Sequence, residues 1–265
     1  MSIHNNVLSS SKLADFNQNG FVCLQSLFTM MEVKEISNAI DELEREDPIS
    51  CIGKQMVYLE DNLLTGQGKV YAKIEKFIEY STVLNELVYS PKLIGYISQL
   101  FGERPVLFKD KINFKLSGGH GFEPHQDIYP GWVTYASYFI SALITIDAST
   151  PSNGCLEVVV GYHERDLPER RRERLTQEQW KSIEFISYPT SPGDVLLFDC
   201  FVPHRSAPNL SDDPRRNLYL TYNPESQGDH RLRYFTDKRC LFPPNYEREP
   251  GKTISFSPEK WLSST

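Results

Sequence analysis

Phe108-Lys109-Asp110-Lys111-Ile112-Asn113-Phe114-Lys115 decides how this chain is read. Phe108, Ile112 and Phe114 share one parity, and Lys109, Lys111, Asn113 and Lys115 share the other. A two-residue period is the mark of a strand whose faces meet different surroundings. The apolar face should pack on the helices that precede it. The lysine face goes to water if the sheet is open, and into a barrel if helices cover the sheet's outer side.

Working outward, further strand-like stretches span 20–24, 106–116, 135–147, 155–161, 183–188, 195–200 and 217–222, separated by Gly, Pro, Ser, Asn and Asp clusters. Ahead of most of them, Val33, Ile36, Ile40 and Leu43 make one apolar stripe on a helix over 31–46. Ser90, Pro91 and Gly102 punctuate a second helix over 91–101. Helices followed by a run of strands predict a mainly β, α+β chain built on a sandwich or barrel. The charged segment 164–181 reads as a helical excursion, and the tail 223–265 as an irregular cover; both are candidate lids.

Composition excludes several functions. A net charge of −7 argues against a nucleic-acid surface. The sharpest basic cluster, Arg170, Arg171, Arg172 and Arg174, is interleaved with Glu164, Glu169 and Glu173, as on a solvated helix face. Five cysteines without a C-x-x-C spacing favour a reducing compartment over a disulfide or zinc-thiolate framework. No apolar run has membrane-spanning length and residues 1–15 lack a signal-peptide pattern, so a cytoplasmic protein with no membrane partner is expected.

The chemistry concentrates in two places. His125-Gln126-Asp127 lies in a strand-like stretch, where alternation puts His125 and Asp127 on one face. His204 follows Gly193-Asp194-Val195-Leu196-Leu197-Phe198-Asp199, a tight turn feeding a strand apolar on both faces. Two histidines and one carboxylate form the facial triad of non-haem Fe(II) oxygenases, with positions left open for a co-substrate and O2. Arg215, beyond the turn-rich stretch 209–214, would offer a planar fork to a carboxylate. Iron, Asp127, a dianionic co-substrate and Arg215 then sum to zero charge. A zinc hydrolase could use the same three ligands but leaves Arg215 idle, and a non-catalytic jelly-roll binding protein needs none of them.

These residues fall in a familiar order. Phe16-x-x-x-Gly20-Phe21-Val22, Pro124-His125-Gln126-Asp127, Asn153-Gly154-Cys155-Leu156-Glu157-Val158-Val159, Gly193 to Phe198, and His204-Arg205-Ser206-x-Pro208-Asn209-x-Ser211 before Arg215 together resemble the phytanoyl-CoA dioxygenase family of Fe(II)/2-oxoglutarate oxygenases. The resemblance implies a double-stranded β-helix (a cupin-like jelly roll) with N-terminal helices on the larger sheet. It implies one dioxygenase domain over 1–265, with a helical part to about 104, a jelly-roll core over about 105–223 and a C-terminal cover over about 224–265. It also implies iron held by His125, Asp127 and His204, and 2-oxoglutarate gripped by Arg215 with help from Ser206. Asn113, Lys109 and Leu156 are further candidates for the co-substrate, and Lys111, Trp132, Tyr135 and Tyr138 for the substrate. The implied reaction hydroxylates an unactivated C–H with release of succinate and CO2. Many members read Pro-Gly-Ser-His where this chain has Val160-Gly161-Tyr162-His163, so one wall near the site should differ. Nothing in the sequence demands an acyl-CoA. A small polar metabolite, such as an aminophosphonate, a quaternary amine or an amino-acid derivative, or a natural-product intermediate, is the expected substrate.

Overall fold

In the computed structural model, the described residues are 7–129, 131–161 and 175–249. Among them, α1 (Ser10–Asn19), β1 (Phe21–Leu24) and α2 (Met30–Arg45) come first, followed by β2 (Met56–Asp61), β3 (Lys69–Glu75), α3 (Thr82–Val88) and α4 (Pro91–Phe101). The core then runs through β4 (Pro105–Lys115), β5 (Phe122–His125), β6 (Ile140–Thr145), β7 (Leu156–Val158), α5 (Gln177–Ser182), β8 (Ile186–Tyr188), β9 (Val195–Asp199), β10 (His204–Ser206) and β11 (Arg215–Pro224). Helix α6 (Arg231–Leu241) follows. One sheet has the order β1-β9-β6-β11-β4-β3-β2 and the other β5-β10-β7-β8, and neighbouring strands pair antiparallel. This is the jelly roll.

Alternation along the strands sorts the side chains into two environments. Ile140, Ala142 and Ile144 of β6, Val195 and Leu197 of β9, and Leu218, Leu220 and Tyr222 of β11 face outward into one apolar cluster. There they meet Phe16 of α1, Val33, Ile36 and Ile40 of α2, and Leu93 and Ile97 of α4. Their opposite-parity neighbours Leu143, Leu196, Phe198 and Tyr219 face the small sheet with Leu156 and Val158. Strand β9 reads as unbroken apolar sequence because both its faces are buried. Gly193, at the turn that feeds it, has φ +90°, and a Cβ there would lie 2.2 Å from the Phe28 carbonyl oxygen, so only glycine lets the two segments meet.

Several expectations need correction. Residues 1–104 are not only helical: β1, β2 and β3 belong to the large sheet. The strand expected over 135–147 is shorter, because residues 132–134 form a 3-10 turn and pairing starts at Ile140. The tail is not irregular throughout, since α6 occupies eleven of its residues. Phe108 does not join Ile112 and Phe114. Lys109 pairs with Thr221 but Leu107 with Tyr222, so Phe108 is an extra residue, a β-bulge, on β4. The bulge gives the outward place to Leu107 and turns Phe108 toward Trp132, Phe139 and Tyr234, with centroids 4.5–5.4 Å away. The basic cluster at 170–174, His163 and the greater part of the excursion over 164–181 lie outside the described residues, as does the end of the tail.

Helix α6 closes one end of the jelly roll through buried charge. Arg231 donates to Asp110 at 2.6 and 2.9 Å and to Glu79 at 2.7 and 3.1 Å, while the other Asp110 oxygen accepts from the Phe77 and Ile78 amides. Asp110 has no solvent exposure. Removing one partner of such a pair strands the other. Asp110→Ala is therefore expected to lower unfolding stability by about 3–5 kcal/mol, read as a fall in denaturant midpoint at constant m-value. A loss below about 1 kcal/mol would show that the network does not anchor α6.

Candidate metal centre and adjoining cavity

His125 and His204 are cross-strand partners in the small sheet, one ending β5 and the other opening β10. That pairing brings the imidazoles to a centroid separation of 4.2 Å. Each ring is oriented by a backbone carbonyl two residues earlier: His125 Nδ1 lies 2.7 Å from Glu123 O, and His204 Nδ1 lies 2.9 Å from Val202 O. A carbonyl can only accept, so each Nδ1 carries a proton, which leaves Nε2 as the nitrogen able to take a metal. Both Nε2 atoms approach Asp127 Oδ1, at 3.9 and 4.0 Å, and the three ligand atoms lie within 4.8 Å of one another.

The route by which Asp127 arrives differs from the expected one. Strand β5 stops at His125, so Asp127 is placed by a turn rather than by strand alternation. Gln126 holds that turn: buried, it donates to Phe201 O at 2.9 Å and accepts from the Leu175 amide at 3.3 Å. On the other side Asp199 Oδ1 accepts from the Phe201 and Val202 amides and fixes the loop that delivers His204.

Electrostatics prepare His125 and Asp127 as ligands. Burial, with His204 next, pushes His125 down to about 3, so its imidazole is neutral at physiological pH. Burial acts to raise Asp127, but His204, His125, Lys111 and Lys109 outweigh it and hold the carboxylate ionised. Two imidazoles and one carboxylate fit a divalent transition metal.

Arg215 fits the co-substrate. It is fully buried at the start of β11, its Nε has no hydrogen-bond partner, and its terminal nitrogen makes a long 3.4 Å contact to Ser149 Oγ. No carboxylate pairs with it among the described residues. A buried guanidinium in that condition fits an incoming carboxylate. Ser206, at the end of β10, accepts from Lys115 Nζ at 2.7 Å, and Lys115 is the register partner of Arg215. Buried Asn113 stands opposite Asn217 on the same strand pair. Leu156 lies in the apolar layer with Phe198 and Tyr219.

Beside the metal ligands lies a cavity of about 340 Å³ that reaches His125 and Asp127. Lys109 and Lys111 line it, as does Trp132. Tyr135 and Tyr138, expected in the substrate wall, do not. The Tyr135 hydroxyl donates to Asp237 at 2.6 Å, and Tyr138 packs on Phe101 and Phe201. The sequence reading missed Lys73 and Glu75 of β3 and Lys238 of α6. Glu75 is fully buried and is met by Lys238, by Lys109 at 3.6 Å and by Lys73 at 3.9 Å. Burial alone would raise its carboxyl, yet these lysines hold it well below the ordinary range. The available signal was Val70, Ala72 and Ile74 alternating with Lys69, Tyr71, Lys73 and Glu75.

Comparison with known proteins agrees with this site. The phytanoyl-CoA dioxygenase (PhyH) family model matches residues 16–217. The chain is 36% identical over 247 residues to a 2-aminoethylphosphonate dioxygenase of uncultured bacterium HF130_AEPn_1, covering 91% of each chain. It is 32% identical over 242 residues to a methylphosphonate hydroxylase of Gimesia maris, covering 90% of this chain and 89% of the relative. In fold it is similar to EctD from S. alaskensis, crystallised with 2-oxoglutarate and 5-hydroxyectoine. That match has a TM-score of 0.69 at 24% identity and covers 86% of this chain and 79% of that one.

The ligand set can be checked without turnover. Fe(II) and 2-oxoglutarate mixed with the protein in the absence of O2 should give a visible charge-transfer band, and Asp127→Ala and His204→Ala should each abolish it. A folded variant that keeps the band would refute the assignment of that ligand. By the span of the family match, the close relatives and the His-Asp-His centre, the chain belongs to the phytanoyl-CoA dioxygenase family and is an Fe(II)- and 2-oxoglutarate-dependent dioxygenase.

Proposed function

We propose that this dioxygenase hydroxylates a small organic anion, and that organophosphonates are the class it takes. The observation that carries the reading is the charge of the cavity. Among the described residues, Lys73, Lys109, Lys111, Lys238 and Arg248 line it against two carboxylates, Glu75 and Asp127. A surplus of cations around a partly enclosed cavity, two of them (Lys109 and Lys238) buried, is costly unless an anion meets it. Lys111 feels this: burial, with Lys109 next, lowers it to about 7, and a bound anion would restore its charge. The two phosphonate-acting relatives, each matched over about nine-tenths of the chain, support the same class.

The aromatic residues argue against a quaternary amine. Lys109 Nζ stands 5.2 Å from the Trp132 centroid and 5.7 Å from that of Tyr234, and Lys73 Nζ stands 4.7 Å from that of Tyr58. These rings already carry lysine ammoniums, so they do not form a cage open to a second cation.

When bound, iron and 2-oxoglutarate supply the oxidising chemistry that hydroxylates an unactivated C–H, with succinate and CO2 as co-products. The protein's contribution is placement. The lysines hold the anionic head, His125 and Asp127 form the cavity's reactive end, and Trp132, Tyr234 and Phe242 line it with apolar surface that excludes water.

Purified protein with Fe(II), 2-oxoglutarate and O2 is expected to release succinate faster when 2-aminoethylphosphonate or methylphosphonate is added. A quaternary amine without an anionic group should not stimulate it. No stimulation by any phosphonate, with stimulation by the cationic compound, would refute the substrate class. Lys109→Met should raise the substrate KM about tenfold or more while leaving 2-oxoglutarate affinity within about twofold. An unchanged KM would remove Lys109 from the anion site.

A further inference from the structure

The cations that line the cavity fall into two groups that lean apart. Lys111 of β4 lies over Tyr219 of β11 and Phe122 of β5, its Nζ 4.4 and 5.5 Å from the ring centroids. Against burial, the two imidazoles and then Lys111 and Lys109 hold Asp127 ionised, so this pair of lysines marks the metal end. Lys73 of β3 leans the other way, 4.7 Å from the Tyr58 centroid of β2, and Lys238 of α6 stands 5.7 Å from the same ring. Strands β4, β3 and β2 are successive in the large sheet. Neighbouring strands lie about 4.8 Å apart, so Lys111 and Tyr58 start from backbones about 10 Å apart.

Arg248 completes the second group, lining the cavity from the segment that follows α6. Side-chain bonds tie that segment to β2. The Tyr58 hydroxyl donates to Phe242 O at 2.7 Å, while Asn245 accepts from Leu59 N at 2.9 Å and donates to Leu59 O at 3.0 Å. Asn245 thus takes the place of a neighbouring strand on the sheet edge. Burial pushes Lys73 down, and Lys109 and Arg248 act in the same sense against Glu75 and Glu60. Burial pushes Lys238 well down too, opposed by Glu75. Among the described residues that line this end, Lys73, Lys238 and Arg248 face one carboxylate, Glu75. A phosphonate dianion at the metal end is matched by Lys109 and Lys111 and leaves this second surplus unmet. The cavity, about 340 Å³, also exceeds what a one-carbon phosphonate fills. It has room for roughly ten water molecules or more.

We infer that the substrate carries a second anionic group, a carboxylate, on a short chain away from its phosphonate. Lys109 and Lys111 hold the phosphonate beside the metal ligands. Lys238 is engaged by Glu75, so Lys73 and Arg248 receive the carboxylate, which the planar guanidinium fork matches. Arg248 is then a specificity-determining residue, and Asn245 is the positioning residue that holds its segment on β2. This rests on the phosphonate reading above and deepens it. A phosphonocarboxylate is preferred to a phosphonate whose far end is neutral or cationic.

Succinate release with 3-phosphonopropionate, and with propylphosphonate, in which a methyl group replaces the carboxylate, tests this in the wild-type protein. 3-Phosphonopropionate is expected to show a KM about tenfold or more below those of propylphosphonate and 2-aminoethylphosphonate. Calorimetric binding of the first two compounds without O2 should show the same preference. Arg248→Met should bring the ratio of those two KM values close to one, and Asn245→Ala should move it in the same direction. A residue that only supports the fold would shift both KM values alike and leave their ratio. Equal KM values for the pair in the wild type, or an unchanged ratio in either variant, would overturn the inference while the phosphonate class stands. The wild-type comparison decides even if neither variant folds. Stimulation by no phosphonate at all would instead refute the class itself, and the inference with it.

Discussion

The large sheet has no solvent-facing side where it carries the site, and that constraint governs the chemistry. Helices α1 to α4 cover its outer surface with a continuous apolar cluster, so polar residues on the other parity of β4 and β11 are driven into the jelly roll. Inside, water cannot satisfy them, and each must find a partner in the protein or in a ligand. Some do so internally, as Ser141 does with Thr221 at 2.9 Å. Among the described residues no carboxylate pairs with Arg215 or Lys115, while three lysines surround Glu75.

The interior consequently has two electropositive regions with different internal compensation. At the end shared by Arg215 and Lys115 no carboxylate pairs with either cation among the described residues, which leaves their charge open to compensation by an anionic ligand. In the cavity, Glu75 offsets part of the charge and keeps three lysines oriented toward one point. A buried ion pair seldom adds much net stability, because desolvation consumes most of the Coulomb gain. Its value here is geometric. Glu75 lets β3, β4 and α6, which are far apart in sequence, present ammonium groups to one volume.

Two small backbone irregularities decide what that volume contains. The bulge at Phe108 places an aromatic ring and Lys109 against the same Trp132 and Tyr234 surface, which regular alternation would forbid. The end of β5 at His125 releases Asp127 into a turn, where it meets both imidazoles. Regular strands supply the rigidity of the metal centre, and their interruptions supply its aim.

The sequence by itself determined the two-face pattern of β4, the doubly buried β9, the helical stripe of α2 and the three residues that the fold brings together as candidate metal ligands. These are local signals: a period of two or 3.6 survives in the chain because each face meets one environment along its length. It also pointed to Arg215, since an arginine on a strand whose neighbours are buried needs a counter-charge. Only the tertiary structure decided which cation serves which anion. Lys238 meets Glu75 across 163 residues and Arg231 meets Asp110 across 121, and no local pattern encodes such pairings. It also moved Tyr135 and Tyr138 out of the expected substrate wall and brought Lys73 and Glu75 in. The physical reason is that cavity walls are assembled from elements whose register, bulges and docking are settled by global packing, whereas burial periodicity is settled residue by residue.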